Sequence, residues 1–340
     1  MRFLFLGAGA IGTYVGGSLA AAGEDVAFIE RPEPAARIRA SGLKVHTRGG
    51  TRLVRNVVMH DSAAAALAAG PYDIAVFALK SFDTQTAVDE LVASGHQVPT
   101  ILSLQNGVDN EPTIAATLGS DRVIAGTVTT AVSKPGVGEV VEEKHRGIGV
   151  ALGHPLSEPL VAALDQAGLS GKAYRHAGSM KWSKLLGNLT GNATSAILDR
   201  TVAELFADRR TYDLELAVLK ECLAVMRAKG YPVVNLPGTP VRALALATSL
   251  PRVIAQPALT RVLGSGRGDK MPSFHIDLHA GRGRTEVGFL NGAVVRAGSE
   301  TGVPTPVNRL LTDTLEALSA GELPMDTYRH DPDALIARLG

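Results

Sequence analysis

Cysteine is almost missing from this chain, because Cys222 is the only one in 340 residues. A single cysteine excludes a disulfide within the chain and a zinc site built from cysteines, and it predicts a reducing, cytoplasmic location. The chain also has no excess of positive or negative charge, since the net charge is +1 and no long acidic or basic run occurs. This balance argues against a nucleic-acid binder and against a protein that binds a charged membrane surface.

Long apolar runs are scarce as well. The apolar start, MRFLFLGAGAIG, reaches a glycine turn after a few residues, so it predicts a strand and not a signal peptide. No stretch is long enough and apolar enough to predict a segment that spans a bilayer. The remaining composition, 45% hydrophobic and 20% charged, is that of a globular protein with room for two domains.

The first half of the chain alternates between strand and helix patterns. This alternation predicts an α/β fold for residues 1–175, with a mostly parallel, doubly wound sheet. The clearest predicted strands are Arg2–Leu6, Asp25–Glu30, Tyr72–Lys80 and Thr100–Gly107, with further strands in LKVHT, TRLVRNVVM, RVIAGTVTTAVS and GIGVALG.

The second half, residues 176–340, has helical patterns and few β-branched runs, so it predicts an all-helical domain. The glycine-rich segment GSGRGDKMPS, Gly264–Ser273, predicts a loop that is either a linker or a mobile cover over a site. The predicted helices are Met180–Ile197, Arg209–Lys229, Pro240–Gln256, Thr285–Glu300 and Asn308–Ala320.

The glycine motif GAGAIG follows the first strand and opens a helix, which is the context of a dinucleotide-binding turn. Gly7 permits the tight turn, Gly9 lets the backbone approach a pyrophosphate, and Gly12 lets helix and strand pack closely. The pyrophosphate would bind at the helix N-terminus, beside Ala10 and Ile11. The motif therefore predicts a dinucleotide cofactor.

The end of the second strand, FIERP, bears on the choice of cofactor. Glu30 stands where an acid accepts a hydrogen bond from the ribose 2′-OH of NAD. Arg31 stands where a cation meets the 2′-phosphate of NADP. The two residues point to different cofactors, and one of them could simply face solvent.

The segment KWSKLLGNLTGN combines a lysine, asparagines and glycines in a helical pattern. In a continuous helix Lys184, Asn188 and Asn192 lie on one stripe, because residues four apart lie above one another. Asparagine is a poor helix former, so the stripe predicts a functional face. The structural alternatives are a lysine whose stem covers apolar surface and asparagines that cap or connect helices.

Six motifs occur together along the chain: GAGAIG, ALKSFDT, LQNGV, KWSKLLGNLTGN, SFHIDLHAGRGRTEVGFLNGAVV and GVPTPVN. With these motifs in this order, the sequence resembles the ketopantoate reductase family over nearly its whole length. The resemblance implies a Rossmann domain, a helical domain and an active site in the cleft between them. It implies an NADPH-dependent oxidoreductase that reduces 2-dehydropantoate to pantoate, towards coenzyme A, with NAD as the less favoured cofactor.

The resemblance also implies roles for individual residues. Lys184 matches the family's catalytic lysine, and Glu286 in RTE matches its conserved acid. Asn188 and Asn192 match asparagines that bind substrate. A lysine of lowered pKa would protonate the oxygen that becomes negative during hydride transfer, which is consistent with this role for Lys184.

Three further positions complete the implied site. Lys80 and Asn106 match residues at the ends of two Rossmann strands, where they would contact substrate or cofactor, although QNG also favours a plain turn. Ser273 matches a serine that contacts the substrate carboxylate. Alternatively, the carboxylate of Glu286 only interacts favourably with the dipole of its own predicted helix, since Glu286 follows Thr285 at the start of that helix.

Some features depart from the family or point elsewhere. Gly288 stands where the family often has an acid, and the spacing from Ser273 to Glu286 is longer by about one residue. These departures leave room for a related dehydrogenase of another 2-keto or 2-hydroxy acid; a dinucleotide-binding sensor without catalysis is a further alternative. His275 and His279, with Asp277 near them, are four apart, but two histidines are weak evidence, so we predict no metal. We expect a small 2-keto acid as the partner and Trp182 as packing; a homodimer is compatible with the sequence.

Overall fold

The computed structural model describes residues 1–267 and 271–339, with backbone alone for residues 258 and 261–267. By their internal contacts these residues form two compact units. The first comprises Met1–Lys181 and Leu236–Thr239, and the second comprises Trp182–Asn235 and Pro240–Gly340. The boundary predicted at residue 175 stays a prediction, and the contact-based division lies within the helix that follows.

The first unit contains an eight-stranded sheet with the order β12-β11-β8-β7-β6-β1-β2-β5 and a four-stranded sheet with the order β4-β3-β10-β9. In the larger sheet only β8 and β11 pair antiparallel, so the predicted doubly wound, mostly parallel sheet is confirmed. The strands are β1 Arg2–Leu6, β2 Asp25–Ile29, β3 Leu43–Thr47, β4 Gly50–Val54, β5 Val58–His60, β6 Ile74–Phe77, β7 Thr100–Ser103, β8 Val123–Val128, β9 Ala131–Gly136, β10 Glu139–Lys144, β11 Ile148–Ala151 and β12 Gly171–Tyr174.

Apolar side chains on both faces of β1 hold the larger sheet between helices. Phe3 and Phe5 belong to one buried cluster, whereas Leu4 and Leu6 belong to the other, because successive side chains of a strand point to opposite faces. A strand buried on both faces needs this continuous apolar run. The helices that begin in the first unit are α1 Ala10–Ala21, α2 Pro32–Ser41, α3 Ala63–Ala68, α4 Thr84–Ala93, α5 Asn110–Leu118, α6 Ser157–Gln166 and α7 Ala177–Leu189.

The strand order reverses next to β1, which pairs with β2 on one side and with β6 on the other. In register, Leu6 of β1 faces Phe77 of β6, and Phe77 faces Ser103 of β7. The carboxyl ends of the three strands therefore lie at one edge of the sheet, where open α/β sheets bind ligands.

The described part of the second unit consists of helices and connecting loops, as predicted. Helix α8 packs on α13, α9 on α12, and α14 on α15. Within the described residues no helix is both long and apolar enough to cross a bilayer. After α7 the helices are α8 Asn192–Leu198, α9 Val202–Ala207, α10 Arg209–Ala228, α11 Val241–Ala247, α12 Arg252–Arg267, α13 Ser273–His279, α14 Val287–Thr301, α15 Pro306–Ala320 and α16 Pro332–Ile336.

The helix predicted over residues 180–197 is wrong as a single element. Helix α7 ends at Leu189 and α8 begins at Asn192, with Gly191 in the left-handed region at φ 64°. The N–H of Gly191 donates to Glu215 Oε2 at 2.6 Å, and this bond from α10 stabilises the break. Lys184, Asn188 and Asn192 therefore do not form one continuous stripe.

Two other predictions need correction. The helix predicted over residues 240–256 is two helices, α11 and α12, and Pro251 lies in the connection between them. The loop predicted over Gly264–Ser273 begins later, because α12 continues to Arg267 and α13 already starts at Ser273. The middle of that predicted loop, residues 268–270, lies outside the described residues.

Candidate active site

The glycine turn connects β1 to α1. Gly7 has φ 92°, and its N–H donates to Ile29 O of β2 at 3.0 Å. A Cβ on Gly12 would stand 2.0 Å from Gly7 O, which is far inside van der Waals contact. Glycine at position 12 therefore lets α1 pack directly on the turn, as the motif predicts.

The surroundings of Gly9 differ from those of Gly12. A Cβ on Gly9 would meet no heavy atom of the described residues within 4 Å. Gly9 is the N-cap residue of α1 and has no side chain to satisfy the N–H groups of the first turn, which begins with Ala10 and Ile11. Open space beside a helix N-terminus suits a pyrophosphate, so the turn fits a dinucleotide cofactor.

The residues after β2 contact the same turn. Glu30 Oε2 accepts a hydrogen bond from Ala8 N–H at 2.9 Å, and Glu30 Oε1 accepts one from the N–H of Arg31. The side chain of Arg31 is 86% exposed. Lys134 of β9, which sequence reasoning missed, donates from Nζ to Ala8 O at 3.1 Å. Ala8 of the turn thus bonds an acid through its N–H and a lysine through its carbonyl oxygen.

Lys80 and Asn106 follow β6 and β7, so both lie at the carboxyl edge of the sheet. Their loops are joined by side chains, since Ser81 Oγ donates to Asn106 O at 3.0 Å and Gln105 Nε2 donates to Lys80 O at 3.3 Å. Asn110 Nδ2 also donates to Asn106 O, at 2.6 Å. Ser81 and Gln105 belong to the motifs ALKSFDT and LQNGV. Their positions next to Lys80 and Asn106 were the only feature of the sequence that could have pointed to them.

Lys181 is a buried lysine that sequence reasoning missed. Its side chain lies 2.7 Å from Glu111 Oε1 as an ion pair, and Nζ donates to Gln105 O at 2.8 Å and to Gly126 O at 3.2 Å. Lys181 is 4% exposed, so its charge is satisfied by these oxygens and not by water. These contacts attach the first turns of α7 to the first unit, and the ammonium group of Lys181 is not exposed to solvent.

The second unit contains Lys184, Asn188 and Asn192. Lys184 and Asn188 are half-buried and lie one turn apart on α7, on the same face. Asn192 is buried and is the first residue of α8. The predicted residues are thus divided between two helices at the break.

Asn192 contacts the start of α13 with both ends of its amide. Its Oδ1 accepts a hydrogen bond from Phe274 N–H at 3.2 Å, and its Nδ2 lies 3.5 Å from Ser273 Oγ. Ser273 is exposed as the first residue of α13. The structure therefore brings together Asn192 and Ser273, which are 81 residues apart in the chain.

Glu286 is the N-cap residue of α14 and is 5% exposed. Its carboxylate is therefore held largely away from solvent at a helix start. Two residues later, a Cβ on Gly288 would stand 2.7 Å from Glu316 Oε1. A carboxylate from α15 thus lies beside the position where the family often has an acid, and burial raises the pKa of Glu316.

The histidine pair of α13 has a different acidic neighbour from the one predicted. Asp277 forms an ion pair with Arg282. The carboxylate next to His275 and His279 belongs to Asp199, at the C-terminal end of α8. Sequence spacing gave no signal for Asp199, because it is distant from the histidines in the chain.

Comparisons with known proteins agree on one family. Residues 3–152 match the model of ketopantoate reductase PanE/ApbA, and residues 178–319 match the model of its C-terminal part. A 2-dehydropantoate 2-reductase of Halobacterium salinarum is 30% identical over 325 residues, which cover 92% of this chain and 97% of that protein. One of Archaeoglobus fulgidus is 28% identical over 324 residues, covering 94% and 98%.

A solved structure agrees with the sequence matches. The crystal structure of a PanE/ApbA family ketopantoate reductase from Ralstonia eutropha JMP134 superposes with a TM-score of 0.81 at 30% identity. The match covers 95% of this chain and 99% of the other. The glycine turn at the reversal of strand order and the helical second unit are consistent with these matches. This chain belongs to the ketopantoate reductase family and is a nicotinamide-dinucleotide-dependent oxidoreductase.

Proposed function

We propose that this enzyme reduces 2-dehydropantoate to pantoate with NADPH, on the way to pantothenate and coenzyme A. The observation on which the proposal rests is the contact of Asn192 with the start of α13, which gathers two polar groups of the predicted substrate set. The names of the relatives in Halobacterium and Archaeoglobus support the same substrate.

The roles follow from the chemistry of a ketone reduction. Bound NADPH supplies the hydride, and the carbonyl oxygen of the substrate must gain a proton. In this proposal Lys184 Nζ donates that proton, because a lysine ammonium group can act as a general acid towards an oxygen that becomes negative. The products would then be an alcohol at the former ketone carbon, NADP⁺ and a neutral lysine, which regains its proton from solvent.

The other predicted residues orient the substrate. Ser273 Oγ and Asn192 Nδ2 donate hydrogen bonds to the carboxylate, and Asn188 binds the distal hydroxyl. Glu286 accepts a hydrogen bond from a substrate hydroxyl, and Lys80 and Asn106 contact cofactor and substrate from the sheet edge. Orientation of this kind lowers a barrier by several kcal/mol, on the order of that reported for well-aligned reactants.

The test of the catalytic role is Lys184→Ala. We expect NADPH affinity close to that of the wild type and a kcat lower by about 10²–10⁴, the usual contribution of a general acid. Lys220→Ala is the matched control, because Lys220 is an exposed lysine of α10. Full activity of Lys184→Ala would show that the proton comes from another group.

The substrate is tested with a panel of 2-keto acids and NADPH. The proposal expects the largest kcat/KM on 2-dehydropantoate, because Asn188 and Glu286 are both assigned to its distal hydroxyl group, which simpler keto acids lack. Loss of such hydrogen bonds leaves polar groups of the site unpaired and lowers kcat/KM steeply. A higher kcat/KM on another acid would assign the enzyme to that substrate instead.

The preference for NADPH depends on Arg31. Its exposed side chain can reach a 2′-phosphate, whereas the carboxylate of Glu30 accepts hydrogen bonds from the backbone N–H groups of Ala8 and Arg31. Arg31→Ala should therefore weaken NADPH binding and change NADH binding little, with Arg37→Ala of α2 as the exposed control. Equal losses for both cofactors would contradict a 2′-phosphate contact.

A homodimer and a cytoplasmic location belong to the same proposal. The exposed apolar side chains of Leu246, Val253 and Ile254, on α11 and α12, support association with a second copy. Light scattering on the purified protein gives the oligomeric state, and cell fractionation gives the location. A monomer at every concentration tested would remove the dimer from the proposal.

A further inference from the structure

We propose that Asp199, His275 and His279 form a binding site for a divalent transition-metal ion of the zinc class. The three side chains supply two imidazole nitrogens and one carboxylate oxygen, and water completes the coordination. All three belong to the second unit. The site is separate from the residues assigned to proton transfer and cofactor binding.

The two histidines come from one turn of a helix. His275 and His279 are four apart on α13, and their rings stack with centroids 4.0 Å apart and planes 22° apart. Histidines with this spacing on one helix face present both nitrogens to one point, as in helical zinc sites. Helix α13 therefore supplies two of the ligands in a fixed arrangement.

The third ligand comes from the end of another helix. Asp199 is the C-cap residue of α8, and its left-handed conformation, φ 51°, turns its side chain towards α13. Oδ1 lies 2.7 Å from His275 Nε2 and 3.8 Å from His279 Nε2. One carboxylate oxygen, Oδ1, thus faces the Nε2 atom of each ring.

The separations suit a small cation. The three ligand atoms all lie within 4.8 Å of one another. Zinc bonds of about 2.0–2.2 Å in a tetrahedron place ligand atoms about 3.3 Å apart, so closure needs shifts on the order of 1 Å. The side chain of His279 is 39% exposed, so it has room for such a shift and leaves a path for water to the ion.

A further residue supports the carboxylate. Arg329 Nε lies 3.0 Å from Asp199 Oδ2, the oxygen that does not face the histidines. This contact holds the carboxylate with Oδ1 turned towards the rings, in the way that outer groups orient metal ligands. It also opposes a cation through its charge, so we expect an affinity that is modest for a zinc site.

A hydrogen bond between His275 and Asp199 explains less of this geometry than a bound metal ion does. The bond between His275 and Asp199 needs one histidine, whereas His279 Nε2 at 3.8 Å is beyond hydrogen-bond distance from the same oxygen. The second ring nevertheless stacks on the first and directs the same nitrogen to the same carboxylate oxygen. An ion bound by both nitrogens accounts for this convergence.

The ion would connect the C-terminal ends of α8 and α13. Their N-terminal ends are already joined by Asn192, Ser273 and Phe274. A bound ion would therefore add a second link between the same two helices and stabilise the second unit against unfolding. This stabilisation is independent of whether the enzyme reduces 2-dehydropantoate.

The test uses the full-length protein without an affinity tag, after chelator treatment and dialysis. Titration with Co²⁺ should give ligand-field absorption that saturates at one ion per chain, and Zn²⁺ should displace it. Zn²⁺ should also raise the melting temperature. His275→Ala, His279→Ala and Asp199→Asn should each weaken binding by more than the roughly 10–100-fold loss caused by removing a supporting group.

The variants include controls for folding and for chance binding. Asp199→Asn retains a residue that tolerates left-handed backbone, so the end of α8 should persist. His96→Ala removes an exposed histidine of the first unit and should leave the titration unchanged. Zinc X-ray absorption of the wild type should show two imidazole ligands, and this readout needs no variant.

Three results would overturn the proposal. The first is the absence of saturable binding of Co²⁺ or Zn²⁺ to the wild type at one equivalent. The second is binding by His279→Ala as tight as that of the wild type, and the third is an X-ray absorption spectrum with fewer than two imidazoles. Each result would reduce the cluster to a hydrogen-bonded ion pair between Asp199 and His275 with a stacked neighbour.

Discussion

A methyl group added to the glycine turn should separate cofactor binding from folding, because Gly9 and Gly12 have different surroundings. At Gly9 the new Cβ would meet no described heavy atom within 4 Å, and φ is −67°, which alanine adopts readily. Alanine is a poor N-cap but lowers the entropy of the unfolded chain, so the free energy of unfolding should change by less than about 1 kcal/mol. The methyl would instead occupy the space that we expect the pyrophosphate of the cofactor to need.

The expected loss of affinity follows from the hydrogen bonds to that pyrophosphate. Displacing one phosphate oxygen from a helix N–H removes a bond to a charged group, about 1.5–3 kcal/mol, which is about 10- to 150-fold in Kd. Gly9→Ala should thus melt like the wild type and bind NADPH at least tenfold more weakly. NADPH fluorescence titration and calorimetry measure the two quantities.

Gly12→Ala is the matched comparison. Its Cβ would stand 2.0 Å from Gly7 O, so the turn must move by about 1 Å or more at a cost of about 1–3 kcal/mol. Each kcal/mol lowers Tm by about 2–4 °C for a unit of this size. If Gly9→Ala bound NADPH normally, or melted below Gly12→Ala, the account of the turn would be refuted.

Three further predictions concern stability. Lys181→Met should lower the free energy of unfolding in urea by about 3 kcal/mol, the lower range for breaking a buried pair, because Glu111 keeps some contact with solvent; Lys172→Met of β12 is the exposed control. Asp208 is paired with Arg210 and Arg200, which lower the pKa of its carboxyl. The ionised carboxyl therefore stabilises the folded state above about pH 4, the pKa of Asp208 in the unfolded chain. This stabilisation is lost as the pH falls towards the pKa of Asp208 in the folded state. The difference in the free energy of unfolding between wild type and Asp208→Asn should therefore shrink over that pH range. Gly191→Ala should cost at least about 1–2 kcal/mol by urea melts, because φ is 64° and the new Cβ would lie 2.9 Å from Val202 Cγ2; Gly187→Ala is the control within α7.

The sequence predicted what depends on near neighbours in the chain. β1, the glycine turn and α1 follow from an apolar run, a spacing of glycines and a helical pattern within the first 21 residues. The parallel sheet follows from the alternation of such local units, because parallel strands need a crossover between them. The positions of Lys80 and Asn106 at the sheet edge follow in turn from the ends of β6 and β7.

Features that depend on distant residues could not be predicted. Lys181 and Lys184 are three apart in one polar segment, and Lys181 is buried because its ammonium group contacts Glu111 and the carbonyl oxygens of Gln105 and Gly126. Asp199 likewise meets His275 only through the packing of α8 on α13. No spacing rule reaches such partners, because the fold and not the local pattern brings them together.

The break at Gly191 shows how a distant partner changes a local pattern. Gly187 and Gly191 each precede an asparagine in the sequence. Gly187 nevertheless stays within the helix, whereas the N–H of Gly191 donates to Glu215. In a continuous helix Asn192 would lie one turn above Asn188. The break instead directs the Asn192 amide to Phe274 N–H and Ser273, so its proposed role rests on α13 and not on the stripe. Gly191→Ala should therefore raise KM for the keto acid more than it weakens NADPH binding, and equal effects on both would remove Asn192 from the substrate set.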